Sequence, residues 1–345
     1  MTTTDPQPIT DAHGRQLRYL RVSVTDRCNM RCRYCMPPEG IRRLNHADIL
    51  TYEEIASVAR AAVGLGVTSV RLTGGEPLVR RNLVALVGLL RAIPGLDDLS
   101  VTTNGALLAP VAGSLARAGL DRVNISIDGL DAGEYGAITR GGDLADALAG
   151  MRAALAAGLQ PVKINAVMIG ADGEPANAPG AAESDDALRR WMARFIDLAR
   201  ELPVHVRFIE LMPIGRAPHQ FPFGDAATSI IEDVGGQPVT EPVAGAGPAR
   251  YWRLDGSAGT LGLIAPVSRP FCDRCNRLRL TADGELRPCL FGVPGQDLKP
   301  LLRPRVDMAA LRQAITQAWL AKPAARHDFN LAGATEHASM CQIGG

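Results

Sequence analysis

Between residues 17 and 211, short strand-like stretches alternate with helix-length segments, a rhythm that confines the chain to parallel strands joined by crossover helices. Residues 17–24, 67–72, 99–103, 122–127, 161–168 and 204–211 read as strands. Residues 51–64, 82–92, 111–118, 143–157 and 185–202 read as helices, the first with Thr51 as N-cap and Glu53 and Glu54 in its opening turn. Right-handed crossovers curl such a sheet towards a barrel. Six strands are too few for a complete eight-stranded one. The expected fold is therefore α/β, an incomplete and laterally open barrel.

The strands carry a second pattern. Arg21, Ser23 and Thr25 alternate with Val22 and Val24, and Arg71 and Thr73 with Val70 and Leu72. Asn124, Ser126 and Asp128 alternate with Val123, Ile125 and Ile127, and Lys163 and Asn165 with Val162 and Ile164. Strand side chains point to opposite faces with period two. The apolar face must meet the helices, so the polar face lines the lumen, where a packed barrel would carry branched apolar side chains. The expected occupant is a large, polar, anionic ligand. An antiparallel sheet with one wet face has the same alternation, but does not account for helix-length crossovers.

Cysteines supply the chemistry. Cys28, Cys32 and Cys35 stand at C-x3-C-x2-C spacing just after the first strand, Cys272, Cys275 and Cys289 at C-x2-C-x13-C, and Cys341 is alone near the end. Three thiolates can hold three irons of a four-iron cluster and leave the fourth open to a ligand. Zinc is the competing occupant, and a zinc ribbon suits the second trio, but such a site wants four ligands. Both readings stand on spacing alone. Two trios and a spare do not form a disulfide framework, and cysteines used this way suit a reducing compartment.

The polar residues 1–16 lack the apolar core of a secretory signal, and no apolar run reaches membrane-spanning length. The expectation is a cytoplasmic protein without membrane contact. A formal net charge of +1 gives no excess for nucleic acid. Residues 171–187 read as a small, polar surface insertion and 235–247 as a loose connection. Beyond it, residues 250–254 pair with 260–264 across Asp255-Gly256, and 277–281 with 285–289 across Asp283-Gly284. A helix follows at 308–321, and the chain ends loop-like in Gly344-Gly345.

Thr73-Gly74-Gly75-Glu76-Pro77 closes the second strand, where ligand sites of parallel folds collect. Its glycines let backbone approach a ligand, and Glu76 can accept from an ammonium group. Arg277 and Arg279 share one face of a strand beside the second trio, and guanidinium pairs suit phosphate. With Arg21, Arg71 and Lys163 they make five cations aimed at one lumen, which points to a polyphosphate.

The cysteine loop followed by Gly-Gly-Glu-Pro resembles the radical S-adenosylmethionine (SAM) superfamily. Arg21–Cys28, Arg71–Pro77, Thr102-Thr103-Asn104-Gly105, Asn124–Asp128, Arg207–Met212, the C-x2-C-x-R-x-R segment and the terminal Gly-Gly resemble its branch that opens molybdenum cofactor biosynthesis, over residues 14–345.

The resemblance implies a partial, TIM-like (β/α)6 barrel over residues 17–230 and a C-terminal hairpin-and-helix region over 231–345. It implies two [4Fe-4S] clusters, one on Cys28, Cys32 and Cys35 and one on Cys272, Cys275 and Cys289. It assigns SAM to Tyr34, Gly75, Ser126 and Met212. It assigns GTP to Arg21, Arg71, Thr102, Lys163, Arg277, Leu278 and Arg279, and a catalytic tail to Gly344 and Gly345. By the same resemblance a 5′-deoxyadenosyl radical takes hydrogen from ribose C3′, and the ribose carbon attacks guanine C8, giving 3′,8-cyclo-7,8-dihydro-GTP. The implied partners are a flavodoxin or ferredoxin system as electron donor, cyclic pyranopterin monophosphate synthase as recipient of the product, and a second copy in a homodimer. A peptide-modifying radical enzyme would want further C-terminal cysteines and no arginine set; a zinc-ribbon interaction protein would leave the polar lumen unexplained.

Overall fold

The computed structural model describes residues 8–169, 181–212, 214, 223–241, 243, 245, 247–291, 295–325 and 340–343, without the side chains of 181–185. The chain runs β1 (Tyr19–Ser23), α1 (Tyr52–Val63), β2 (Ser69–Thr73), α2 (Leu83–Arg91), β3 (Asp98–Thr103), α3 (Ala112–Arg117), β4 (Arg122–Ser126), α4 (Ala132–Thr139) and α5 (Leu144–Ala156). It continues with β5 (Val162–Met168), α6 (Ala181–Glu201), β6 (Val204–Glu210), α7 (Gly224–Asp233), β7 (Gln237–Pro238), β8 (Arg250–Arg253) and β9 (Thr260–Ile264). β10 (Arg277–Leu280), β11 (Glu285–Arg287), β12 (Gln296–Asp297), α8 (Lys299–Leu302) and α9 (Met308–Leu320) complete it.

Local chemistry explains where several helices start. Thr51 accepts from the Glu54 amide while Glu54 bonds back to the Thr51 amide, a reciprocal cap that starts α1. Asp131, Asp143 and Asp307 accept first-turn amides of α4, α5 and α9.

β1 to β6 pair in parallel in chain order within a twelve-stranded sheet, ordered β12-β11-β10-β1-β2-β3-β4-β5-β6-β9-β8-β7. The sheet does not close, as expected of an incomplete barrel. Val22, Val70, Val101, Ile125, Ile164 and Val206 are all fully buried on the face towards the helices, the face the alternation assigned to the core. Among the described residues no helix is long and apolar enough to cross a membrane.

Both C-terminal hairpins form as read, β8 with β9 and β10 with β11. Their placement is new: β10 adds in parallel to β1 and β9 in parallel to β6, so they lengthen the barrel's own sheet at both edges. Several readings need correction. α4, α7, α8, β7 and β12 were not foreseen, and α6 begins at Ala181, inside the stretch read as an insertion. Its alanines and acidic residues favour a helix N-terminus over a loop.

Candidate active site

The ends of β1 and β2 build the first half of the site together. The Gly75 amide donates to the Thr25 carbonyl and the Glu76 amide to that of Arg27, both at 2.8 Å, so the Gly-Gly-Glu turn lies against the start of the cysteine loop. A side-chain carbon at Gly75 would stand 2.3 Å from the Arg27 carbonyl oxygen, which is why glycine is required there. Glu76 turns inward and accepts from Thr103 Oγ1 (2.7 Å), the Asn104 amide (2.7 Å) and the Leu78 amide (3.0 Å). Burial nonetheless pushes its carboxyl up to about 7.

The far side of the loop rests on the end of α4. Arg31 and Arg33 amides donate to the Thr139 and Ile138 carbonyls, each at 3.0 Å. Arg140 Nη1 returns to the Arg31 and Met36 carbonyls, also at 3.0 Å. Tyr34 Oη donates to Asp128 Oδ2 at 2.8 Å, and burial holds Asp128 up at about 6.

The second half comes from the C-terminal hairpins. Cys272 and Cys275 flank a single 3-10 turn, with the Cys275 amide on the Cys272 carbonyl at 3.2 Å. β10 follows at once and pairs Arg279 with Arg21, whose other neighbour is Arg71. Arg71 and Arg277 sit over the Tyr19 ring at 5.3 and 5.4 Å.

One cavity of about 330 Å³ joins the halves, and all six cysteines of the trios line it. So do Tyr34, Gly75, Ser126, Met212, Arg21, Arg71, Thr102, Arg277 and Arg279. Two residues assigned to the ligand stand elsewhere. Lys163 is buried outside the lining set, with Nζ on the Gly245 carbonyl at 3.2 Å. Leu278 points its side chain into the apolar core, as the alternation with Arg277 and Arg279 requires, so its backbone alone could face a ligand. Gly344 and Gly345 lie outside the described residues. Cys341 lines the cavity and accepts a hydrogen bond from the Cys35 thiol.

Electrostatics separate Cys275 from the first trio. Burial pushes the Cys28 thiol up to about 11, and Cys32 rises further for the same reason. At Cys275 burial also acts upward, but the charges of Lys322 and Arg277 outweigh it and the thiol falls below its ordinary value. The arginines are themselves strained. Burial, then the Arg277 charge, brings Arg279 down to about 10, and burial brings Arg71 to about 10. Burial and the Arg207 charge bring Lys163 down to about 6. Thr102 Oγ1 and Arg207 Nε are buried without a hydrogen-bond partner among the described residues. Like charges and orphan donors gathered on one lumen fit a bound polyanion.

Among the described residues no three His, Cys, Asp or Glu side chains could share one metal ion. A four-iron cluster instead distributes its thiolates over separate irons, one per metal. Asn165 lines the cavity as the alternation of the fifth strand requires, whereas Tyr19 and Arg207 line it without having been assigned to it from sequence. The odd-numbered face of β6 gave the signal for Arg207, which is in register with Asn165 and donates to it and to Asn124.

Residues 22–175 match the Radical SAM superfamily and residues 204–328 match Molybdenum Cofactor Synthesis C. A GTP 3′,8-cyclase from Moorella thermoacetica is 47% identical over 338 residues, 97% of this chain and 99% of the relative. Those from Pelotomaculum thermopropionicum and Geobacter sulfurreducens are 46% and 43% identical, again over 97% of this chain and 99% of theirs. Among solved structures, Streptococcus suis SuiB bound to S-adenosylmethionine aligns with a TM-score of 0.59 at 13% identity. That alignment covers 90% of this chain and 66% of SuiB, a likeness of fold alone.

Proposed function

Because the chain belongs to the GTP 3′,8-cyclase family of radical SAM enzymes in molybdenum cofactor biosynthesis, we propose that the cavity lined by both cysteine trios holds GTP between two four-iron clusters. The observation that carries the reading is the shared lining: two cysteine trios face one lumen, with Arg21, Arg71, Arg277 and Arg279 between them.

Cys28, Cys32 and Cys35 would hold the first cluster and Cys272, Cys275 and Cys289 the second. Tyr34, Gly75, Ser126 and Met212 would contact SAM. Gly75, whose missing side chain lets the turn pack on the Arg27 carbonyl, would offer its backbone to the cofactor's methionine end. Glu76 and Asp128 hold that wall through hydrogen bonds to Thr103, Asn104 and Tyr34.

Arg21, Arg71, Arg277 and Arg279 would neutralise the triphosphate, with Thr102 Oγ1 as a donor and Leu278 reaching the ligand through backbone only. Lys163, buried outside the lining set, would act through its charge alone, and Arg207 would join the set. When bound, SAM and the first cluster would supply the radical chemistry that joins ribose C3′ to guanine C8. The chain's part is to hold C3′ and C8 in a water-poor lumen while the cations keep the triphosphate fixed.

Residues 17–230 would carry the cofactor and 231–345 the second cluster. A flavodoxin or ferredoxin system would supply electrons, cyclic pyranopterin monophosphate synthase would take the product, and a homodimer is the proposed assembly.

The test is anaerobic reconstitution with iron and sulfide, an iron count, then SAM, dithionite and GTP. About eight irons per chain and GTP-dependent 5′-deoxyadenosine support the reading. About four irons, with cofactor cleavage indifferent to GTP, would leave a radical enzyme with another substrate.

A further inference from the structure

Behind the second cysteine trio, two cations from opposite ends of the chain meet. Lys322, just past α9, is only 5% exposed. Its Nζ donates to the carbonyls of Arg277 (3.0 Å) and Pro288, the first two residues after Cys275 and the second directly before Cys289. It also lines the cavity together with Cys275 and Cys289.

The Lys322 carbonyl accepts from Arg15 Nη2 at 2.9 Å. Arg15 Nη1 reaches the carbonyls of Cys272 (3.0 Å) and Pro323 (2.9 Å). Asp11 neutralises Arg15 through a 2.6 Å ion pair between side chains almost wholly out of solvent. Every segment that carries a cysteine of this trio is therefore tied to Arg15 or Lys322. Lys322 differs from Arg15 in making no carboxylate ion pair among the described residues; the groups it faces are the Cys275 and Cys289 thiols, which become anions when they hold a metal.

A lysine serving only to satisfy carbonyls would need no anion beside it. Reducing an iron–sulfur cluster adds a negative charge, and a desolvated cation in contact with its ligands favours that reduced state. We propose that Lys322, set in place by Arg15, is a positioning residue of the second trio whose charge raises the reduction potential of the cluster held there. This rests on the reading that Cys272, Cys275 and Cys289 hold a cluster.

The experiment uses the full chain with Cys28→Ala, Cys32→Ala and Cys35→Ala, which leaves the second trio as the sole cluster site. After anaerobic reconstitution, iron is counted and the midpoint potential is read by redox titration followed by electron paramagnetic resonance. Lys322→Met should move the reduction equilibrium at least tenfold towards the oxidised form, a shift of about 59 mV to more negative potential for one electron. Lys322→Arg should recover most of that shift.

A Met variant that assembles the cluster at the parent's potential overturns the inference. Should the Met variant hold no iron, restoration of iron by Lys322→Arg supports a role for the charge. If the Arg variant also holds none, or both variants unfold, Lys322 acts by shape alone and the inference fails. A parent chain that binds no cluster would overturn the reading of the trio itself, a result distinct from an unmoved potential.

Discussion

Arg279 shows a buried cation whose effects on stability and on binding have opposite signs. It pairs in register with Arg21 and stands beside Arg277, so the unliganded chain bears the desolvation and mutual repulsion of all three. Arg279→Ala should weaken GTP binding by about 1–3 kcal/mol, the worth of a charge-assisted hydrogen bond. The same change should leave the melting temperature of the unliganded chain unchanged or raised. Calorimetry at fixed salt beside a thermal melt reads both; unchanged affinity would remove Arg279 from the ligand site. Glu76 makes a prediction about pH. Burial raises its folded-state carboxyl from 4.5 to about 7, so between those values the folded chain binds more protons than the unfolded one. Its contribution to stability is therefore fully present below pH 4.5 and is lost as pH rises through 7. Asp128, raised to about 6, acts in the same direction. Glu76→Gln should flatten the fall in unfolding free energy between pH 5 and 8, whatever its absolute stability, as read by urea denaturation across that range. An unchanged slope would place the titrating proton elsewhere.

Elements explain why the cysteine loop is where it is. The Gly-Gly-Glu turn leans on residues 25–27 from one side and the end of α4 holds residues 31–36 from the other. A methyl group at Gly75 meets backbone, which cannot rotate away, so Gly75→Ala must push Arg27 and with it Cys28. The variant should keep its far-ultraviolet circular dichroism yet reconstitute with roughly four irons in place of about eight; full iron content would show that the loop adapts. The turn itself could be read in the sequence, because Gly-Gly at a strand end announces close backbone approach. The strands were legible for a similar reason, since each apolar residue of the alternation had one helix-covered face to fill. α4 was not legible: Gly133 and Gly136 break its propensity and it has no apolar stripe, so its hold on the cysteine loop creates it more than its composition does. Nor could alternation reveal the neighbours of β9 and β10. Period two fixes which face a side chain takes, whereas partner choice depends on where two hairpins and an open barrel's edges meet. The lumen residues Arg21, Arg71, Arg277 and Arg279 came from that same pattern. Lys322 and Arg15 did not, because a contact across 307 residues leaves no local trace.

At the scale of the molecule, the edge-strand additions bear on how the chain unfolds. One continuous apolar core runs from Leu17 through Trp191 and Trp252 to Trp319, and it includes Leu278 and Leu286 of the C-terminal hairpin. Removing the C-terminal third would therefore strip β10 from β1 and β9 from β6, exposing backbone donors and acceptors along two edges at once. Part-folded states with the barrel alone intact should be unstable on that account. The chain's three tryptophans report on three parts of the fold, Trp191 on α6, Trp252 on β8 and Trp319 on α9. Among the described residues Trp252 and Trp319 make no hydrogen bond through Nε1, so Phe at those positions leaves no described partner unsatisfied. Trp191 donates to the Asp128 carbonyl at 3.1 Å, so its replacement costs one bond. With two of the three changed to Phe in turn, urea unfolding of the metal-free chain should show the remaining tryptophan tracking far-ultraviolet circular dichroism in every variant, with one midpoint and one slope per variant. A Trp319 signal lost at lower urea than the circular dichroism in its own variant would mean that α9 and the hairpin beside the second cysteine trio detach first. The two halves of the cavity would then be separately stable, and their common sheet would be a contact between units instead of the frame that holds both trios to one lumen.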